Sequence, residues 1–235
     1  MAQRPVYLPV SEKVLFVKTE LVDFTWFPGM SVSQKQKSID SLHEAAKTSL
    51  PNVKRILEIS SKSRDTLGVA LSAFNLSFTT LKQQRTLTIE CAFQGSKVFQ
   101  RGGPFVDMFE MTPREAKKDK RLLTSGRLTG FKFFGKEWEL EPQTAFYDWL
   151  YISALRKQRE LAEQIIEYDA FTDIEFNPER SINCQAYSAA LYISLSKQGI
   201  LDEAISSKES FLESIKSVSI SNARQDETHQ SGFGF

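Results

Sequence analysis

The order of extended and helical segments along the chain restricts its fold most strongly. Residues 5–26 include VYLPV and KVLFVKTELVDFTW, which are rich in β-branched and aromatic residues and predict extended structure. Phe27-Pro28-Gly29 then breaks this segment. The later segments are mainly helical in pattern, and no repeat, low-complexity tract or obvious linker divides the chain. The sequence therefore predicts an α+β fold, a helix-rich single domain with a small sheet.

Capping residues and glycines give the predicted helix boundaries in the first half. The capping-box form of Ser33-Gln-Lys-Gln36 predicts a helix that begins there and ends before Pro51. TLTIECAFQGSKVFQ predicts a second helix, which Gly102-Gly103-Pro104 would end. For LGVALSAFNLSF, a strand, a helix and a buried turn all fit the small and apolar composition.

The second half contains one clear strand segment and three predicted helices. RLTGFKFFGKEWEL predicts strand structure with Gly135 as a turn or bulge. A long helix is predicted from about Pro142 to Tyr168, since proline is tolerated at a helix N-terminus. CQAYSAALYISLSKQG predicts a helix ending at Gly199, and LDEAISSKESFLESIKSV a last amphipathic helix.

Composition restricts the classes of function. With 30 basic and 29 acidic residues, the net charge of +1 argues against coating nucleic acid by bulk charge, although contacts with a few phosphates remain possible. The two distant cysteines, Cys91 and Cys184, predict free thiols in a reducing compartment. We find neither a signal-peptide layout nor a run of about 18 apolar residues, so the expected location is cytoplasmic.

Common catalytic motifs are missing from the sequence. There is no Rossmann glycine pattern, Walker loop, G-x-S-x-G elbow or Cys/His metal spacing, and the chain has two histidines. We therefore expect chemistry carried by carboxylates, lysines and hydroxyls, with no cofactor and no metal.

Three segments carry candidate site residues. In a helix, Glu90, Phe93, Gln94 and Lys97 would share one face through their i, i+3, i+4 and i+7 spacing. Such a stripe can line a polar pocket. The alternative is an ordinary solvated helix face with a buried Phe93.

The other two segments are rich in polar groups. Residues 173–177, followed by Asn183, place acids, amides and a ring in a loop. The alternative is a capped loop in which Ser181 or Asn183 begins the next helix. Ser60, Ser61, Lys62, Ser72 and Asn75 offer donors for phosphate or ribose oxygens, and Phe74 offers a ring that could stack on a base. A surface turn is the alternative explanation for these residues.

Taken together, these segments resemble the NADAR (NAD- and ADP-ribose-associated) family. LSAF at 71–74 is similar to its LSNF-type element, and IECAFQGSK at 89–97 to its V-E-x-x-F-Q-x-x-K pattern. AK at 116–117 fits the short element that follows. DIEFNPERSIN at 173–183 is similar to the late D-x-x-W-G region, where Phe176 replaces tryptophan and Asn177 replaces glycine.

The resemblance implies a NADAR-like domain over residues 1–224, with an N-terminal extension at 1–60 and a flexible tail at 225–235. That extension is similar to the subgroup encoded beside DarT-type DNA ADP-ribosyltransferase toxins. The implied function is an antitoxin that acts as an N-glycosidase and removes ADP-ribose from a modified guanine base. Its partners would be ADP-ribosylated nucleic acid, with DNA expected, or ADP-ribose, together with a toxin; no membrane is involved.

The resemblance also assigns roles to the candidate residues. Glu90 and Asp173 would act on the charge that develops at the anomeric carbon, as paired acids do in glycosidases. Lys97, if desolvated, could attack the opened sugar and form a Schiff base. Two alternatives stay open: an N-glycosidase of a free riboflavin-pathway metabolite, and a non-catalytic ADP-ribose-binding module. The expected substrate-binding residues are Ser61, Lys62, Ser72, Phe74, Asn75, Phe93, Gln94, Asn177 and Asn183.

Overall fold

The computed structural model describes residues 2–12, 15–80, 84–178 and 181–216. Helices dominate it, and three small sheets accompany them, so the predicted α+β class is confirmed. The predicted tail at 225–235 lies outside the described residues. None of the described helices combines the length and hydrophobicity needed to cross a membrane.

The described strands are short except for the first two. In chain order they are β1 Ala2–Pro9, β2 Val17–Phe24, β3 Ile56–Glu58, β4 Ser77–Thr79, β5 Thr86–Thr88, β6 Lys97–Phe99, β7 Leu128–Phe133, β8 Lys136–Trp138 and β9 Ala170–Thr172.

The helices range from single turns to five turns. They are α1 Val32–Ser49, α2 Thr66–Ala70, α3 Ile89–Gly95, α4 Pro113–Lys118, α5 Arg121–Thr124, α6 Ala145–Lys157, α7 Arg159–Ile165, α8 Gln185–Lys197, α9 Leu201–Ile205 and α10 Lys208–Lys216, with a 3-10 helix at Val106–Glu110.

The largest sheet joins the two ends of the domain. Its strand order is β2-β1-β9-β3, with β1 antiparallel to both neighbours and β3 parallel to β9. The predicted extended segment at 5–26 therefore forms most of this sheet. Two further sheets pair β4 with β5 and place β7 between β6 and β8, all antiparallel. The hairpin between β7 and β8 turns at Gly135, as predicted.

The main core lies between α6, α8 and the sheets. Tyr151, Phe146 and Phe171 are almost fully buried there, and α8 is buried on nearly every side. A helix without a polar face belongs in an interior, which explains its small and apolar sequence. A second core lies where α1 packs Ile39 and Leu42 against the sheet.

Four predicted helices differ from the structure. The helix predicted over residues 86–100 is only α3, because residues 97–99 form β6 and pair with β7 instead of continuing the helix. Gly102-Gly103 therefore do not end a helix; they turn the chain after β6, where Gly102 pairs with Phe99. In α1 the N-cap is Ser31 rather than Ser33.

The other two corrections concern long helices that the structure divides. The predicted helix at 142–168 begins only at Ala145 and breaks at Gln158, whose side-chain amide donates to the Ser77 carbonyl at 2.7 Å. The last predicted helix is likewise divided into α9 and α10. In both cases the local sequence pattern is helical, and tertiary contacts decide where the axis changes.

Candidate functional site

The loop at residues 71–76 joins the elements that carry the candidate residues. Its Ala73 N–H donates to Gln185 Oε1 at 2.7 Å, and its Ala73 carbonyl accepts the Glu90 N–H at 2.9 Å. Gln185 Nε2 donates to the carbonyl of Ile59 at 2.6 Å. The loop therefore brings the start of α3, the end of β3 and the start of α8 together.

Glu90 is buried in the first turn of α3. Glu90 is 6% exposed, and its Oε1 accepts a 2.9 Å hydrogen bond from Gln94 Nε2. The buried Gln94 Oε1 accepts no hydrogen bond from any described residue. An acceptor left unmatched in a buried place is costly unless a ligand or water satisfies it. This pair is therefore suited to receive a hydroxyl or amine of a bound molecule.

Lys97 lies next to Glu90, although it is not on the same helix. It begins β6, and its Nζ is 4.8 Å from the centre of the Phe93 ring. Burial lowers the pKa of Lys97 to about 8, with a further decrease from Lys117 and an opposing effect from Glu90. The predicted helical stripe is thus wrong for Lys97, but the fold still places the amine within electrostatic reach of the carboxylate.

Aromatic rings hold this side of the site in place. Phe93 is buried, and its ring lies 5.1 Å from Tyr147, edge to face, and 5.4 Å from Phe131. Burial raises the pKa of the Tyr147 hydroxyl, and the charges of Glu90 and Asp173 raise it further. Phe93 therefore forms a rigid wall beneath Lys97, and the pKa of Tyr147 depends on the charges of both candidate acids.

Asp173 belongs to a second acidic pair that sequence analysis did not identify. Its partner is Glu58, at the end of β3, whose carboxylate accepts hydrogen bonds from Thr172 Oγ1 at 2.7 Å and from the Ile174 N–H at 2.8 Å. Asp173 Oδ1 accepts the N–H groups of Glu175 and Phe176. The one local signal for Glu58 is an acid inside the apolar segment ILEIS.

The acidic pair retains a proton at neutral pH. Burial raises the pKa of Asp173 to about 8, and the charge of Glu58 contributes to the increase. Burial also raises the pKa of Glu58. Two desolvated carboxyls cannot both ionise at low cost, so one of them stays protonated. Asp173 can therefore act as a proton donor near pH 7.

Ser72, Phe74 and Asn75 form the loop surface beside this centre. Ser72 Oγ donates to the Val69 carbonyl at 2.7 Å and accepts from Asn75 Nδ2 at 3.1 Å. These two residues therefore fix the loop conformation with their polar groups. Phe74 is half-buried, and the ammonium of Lys117 lies 5.1 Å from its ring centre.

The remaining predicted residues lie in the loops that follow β3 and precede α8. Lys62 Nζ donates to Ser61 Oγ at 3.1 Å, and the Asn183 carbonyl accepts from Ser181 Oγ at 3.3 Å. The Asn177 carbonyl accepts the Ser181 N–H. The N-cap of α8 is Cys184, without a side-chain capping bond, so neither Ser181 nor Asn183 begins that helix.

Comparison with protein families identifies the family of this chain. The model of the DarT1-associated NADAR antitoxin family matches residues 2–225. The chain belongs to this family. No curated protein matches the chain. The match confirms the resemblance found in the motifs at 71–74, 89–97 and 173–183.

The first 60 residues of this NADAR antitoxin fall within the family match. Their described part supplies β1, β2 and β3, which are three of the four strands of the largest sheet. β3 also carries Glu58, so this segment contributes directly to the acidic pair. Cys91 and Cys184 are buried free thiols, as predicted. Among the described residues, no His, Cys, Asp or Glu cluster is arranged to hold a metal ion.

The raised pKa of Asp173 predicts a pH-dependent stability of this NADAR antitoxin. A carboxyl with a raised folded-state pKa favours the folded state at low pH, and this contribution is lost as the pH rises through about 8. We expect Asp173→Asn to raise the melting temperature by at least about 3 °C at pH 9 and by much less at pH 5. Asparagine can still accept the N–H groups of Glu175 and Phe176.

Thermal unfolding followed by circular dichroism at several pH values measures this difference. The lowered pKa of Lys97 affects both proteins equally and cancels in the comparison. Glu163→Gln is the control, because it removes a negative charge whose side chain is 63% exposed. If Asp173→Asn and the wild type show the same pH dependence, Asp173 ionises normally and the proton-donor role fails.

Proposed function

We propose that this NADAR antitoxin is an N-glycosidase that removes ADP-ribose from a modified guanine base in nucleic acid. The observation that carries the proposal is a buried carboxylate, Glu90, within electrostatic reach of a half-buried amine, Lys97, whose pKa is about 8. Membership of an antitoxin family associated with DarT1 supports this proposal, since an antitoxin can oppose an ADP-ribosyltransferase toxin by removing the ADP-ribose that the toxin attaches.

Lys97 supplies the nucleophile in this mechanism. At a pKa of about 8, a useful fraction of the amine is neutral near neutral pH. In the ring-opened sugar, the anomeric carbon is joined to the base nitrogen as an imine. Lys97 Nζ attacks this carbon, the base leaves as its amine, and a carbon–Nζ imine remains. Water then hydrolyses this imine, which releases ADP-ribose and regenerates the lysine.

Glu90 acts on the positive charge at the anomeric carbon and on the water that hydrolyses the imine. Its carboxylate can stabilise positive charge at the anomeric carbon and can then remove a proton from the hydrolytic water. The hydrogen bond from Gln94 leaves the other carboxylate oxygen, Oε2, for this purpose. Burial excludes bulk water, so the interaction between carboxylate and cation is stronger than it would be at the surface.

Asp173 supplies the proton that the departing base requires. The carboxyl holds a proton up to about pH 8 because it is buried next to Glu58. The charges of Glu90 and Asp173 both raise the pKa of the Tyr147 hydroxyl on α6, so both acids act on the same place. The proposal therefore divides the work between Glu90, which acts on the positive charge, and the protonated Asp173, which donates to the base.

The surface formed by Phe74, Asn75 and Lys117 is the proposed entrance for ADP-ribose. Asn75 and Lys117 are exposed, and Phe74 is half-buried beneath the ammonium. The charge of Lys117 also reaches Lys97, since it lowers the pKa of that amine. A pyrophosphate near Lys117 and an adenine or guanine ring near Phe74 would thus lie next to the reacting carbon.

The pH profile of ADP-ribose release tests this division of roles. Activity needs Lys97 neutral and Asp173 protonated, so kcat should be greatest near pH 8 and fall on both sides. Asp173→Asn should lower kcat about 10- to 100-fold and remove the alkaline decrease. The measurement is release of ADP-ribose from ADP-ribosylated guanosine by chromatography.

Two results would contradict the proposal. A wild-type protein that binds ADP-ribose but releases none from the modified guanosine would be a binding module. An Asp173→Asn variant that keeps the alkaline decrease would show that another group donates the proton. Glu163→Gln serves as the control again and should retain the wild-type profile.

A further inference from the structure

A cavity outside the proposed catalytic centre has an unusual lining. Its volume is about 750 Å³, within the range of small-molecule sites. Four aromatic side chains line part of its wall, and a serine and a lysine are among its polar groups. The residues used below are Phe78, Phe133, Phe134, Trp149, Ser153 and Lys157.

Phe134 lies exposed at the edge of this cavity. Its side chain is 50% exposed, and its backbone φ is +45°, a conformation that large side chains rarely adopt. The ring lies 4.6 Å from that of Phe133, which in turn packs against Trp149. The two-residue turn between β7 and β8 requires this backbone conformation, and it leaves an exposed ring beside buried rings, which offers a stacking surface for another planar group.

Polar groups in the cavity fit the edge and the phosphate of a nucleotide. Ser153 Oγ is buried and has no hydrogen-bond partner among the described residues. Lys157 is exposed, lies 5.5 Å from the Phe78 ring centre, and forms no ion pair within the described ranges. A nucleobase presents a flat apolar face with donors and acceptors at its edge, and the sugar of the nucleotide joins it to a phosphate.

The cavity also lies near the proposed catalytic lysine. Lys97 pairs with Phe131 across β6 and β7, and Phe133 is the next residue of β7 on that same face. Two residues along a strand span about 7 Å. Phe146 contacts both Phe131 and Phe133, so packed rings connect the residue paired with Lys97 to the cavity wall.

From these observations we propose that the cavity binds an unpaired nucleobase that flanks the modified guanine. The base would stack on Phe134 and Phe133, its edge would reach Ser153, and its phosphate would contact Lys157. This inference rests on the proposed function and narrows its substrate to single-stranded nucleic acid, because a paired base cannot enter the cavity.

The test compares two substrates, ADP-ribosylated guanosine and a single-stranded oligonucleotide with one ADP-ribosylated guanine. Phe134→Asn removes the ring but suits a positive φ, and Lys157→Gln removes the charge. We expect each to raise the KM for the oligonucleotide about five- to ten-fold, with kcat unchanged. The KM for the nucleoside should change less than two-fold. Lys37→Gln, an exposed lysine on α1, is the control.

The outcomes separate this inference from the proposed function. If the wild type cleaves the nucleoside but neither variant changes the KM for the oligonucleotide, the cavity does not bind a flanking base. A variant that loses affinity for the toxin while its oligonucleotide KM is unchanged would also overturn the inference. If the wild type cleaves neither substrate, the proposed glycosidase activity itself fails.

Discussion

Replacement of Lys97 by alanine is expected to lower kcat for ADP-ribose release by at least about 10³-fold. The variant loses the nucleophile, whereas binding through the Phe74 and Lys117 surface remains. Sodium borohydride added during turnover should reduce the imine of the wild type and leave ADP-ribose attached to Lys97, as identified by peptide mass spectrometry. The alanine variant should give no adduct at any position.

Lys97→Arg provides the sharper control. Arginine keeps a positive charge near Glu90 but stays protonated in proteins, so it cannot attack the sugar. We therefore expect Lys97→Arg to be as inactive as the alanine variant. If it kept a tenth or more of the wild-type kcat, Lys97 would act by charge alone. Lys117→Gln should raise KM and still allow the Lys97 adduct to be trapped.

Part of this site could be predicted from sequence because its information is local. The extended segment at 5–26, α1 and α8 follow from residue pattern, although the N-cap of α1 is Ser31 and not the predicted Ser33. Glu90 and Gln94 lie one helical turn apart, and their hydrogen bond is the expected consequence. For these elements the local preference and the tertiary packing agree.

The rest of the site depends on contacts that no local pattern contains. The helix with Glu90 ends before Lys97 because Lys97 begins β6, which pairs with β7. Although Lys97 lies on a strand and not on the predicted helix, its ammonium still lies over the ring of Phe93. Glu58 meets Asp173 only because β3 pairs with β9, more than a hundred residues later. This pairing helps to bury both carboxyls, which raises the pKa of each, and no local sequence pattern indicates it.

Glu90→Gln is the second substitution with a large expected effect. The glutamine can still accept the hydrogen bond from Gln94, so the fold and the affinity for ADP-ribose should remain. Loss of the carboxylate should lower kcat about 10²- to 10⁴-fold, because no group then stabilises the positive carbon or activates water. Glu137→Gln, whose side chain is 76% exposed, removes the same charge elsewhere as the control.

The same substitution also predicts a change in the pH profile that a purely structural role would not produce. The charge of Glu90 raises the pKa of Lys97, so its removal must let that pKa fall below about 8. The residual activity of Glu90→Gln should therefore begin to rise at a lower pH than that of the wild type, even though its maximum is far smaller. An unchanged acid limb would mean that the two groups do not interact. Wild-type kcat in the variant, with ADP-ribose binding intact, would leave the carboxylate without a role in cleavage.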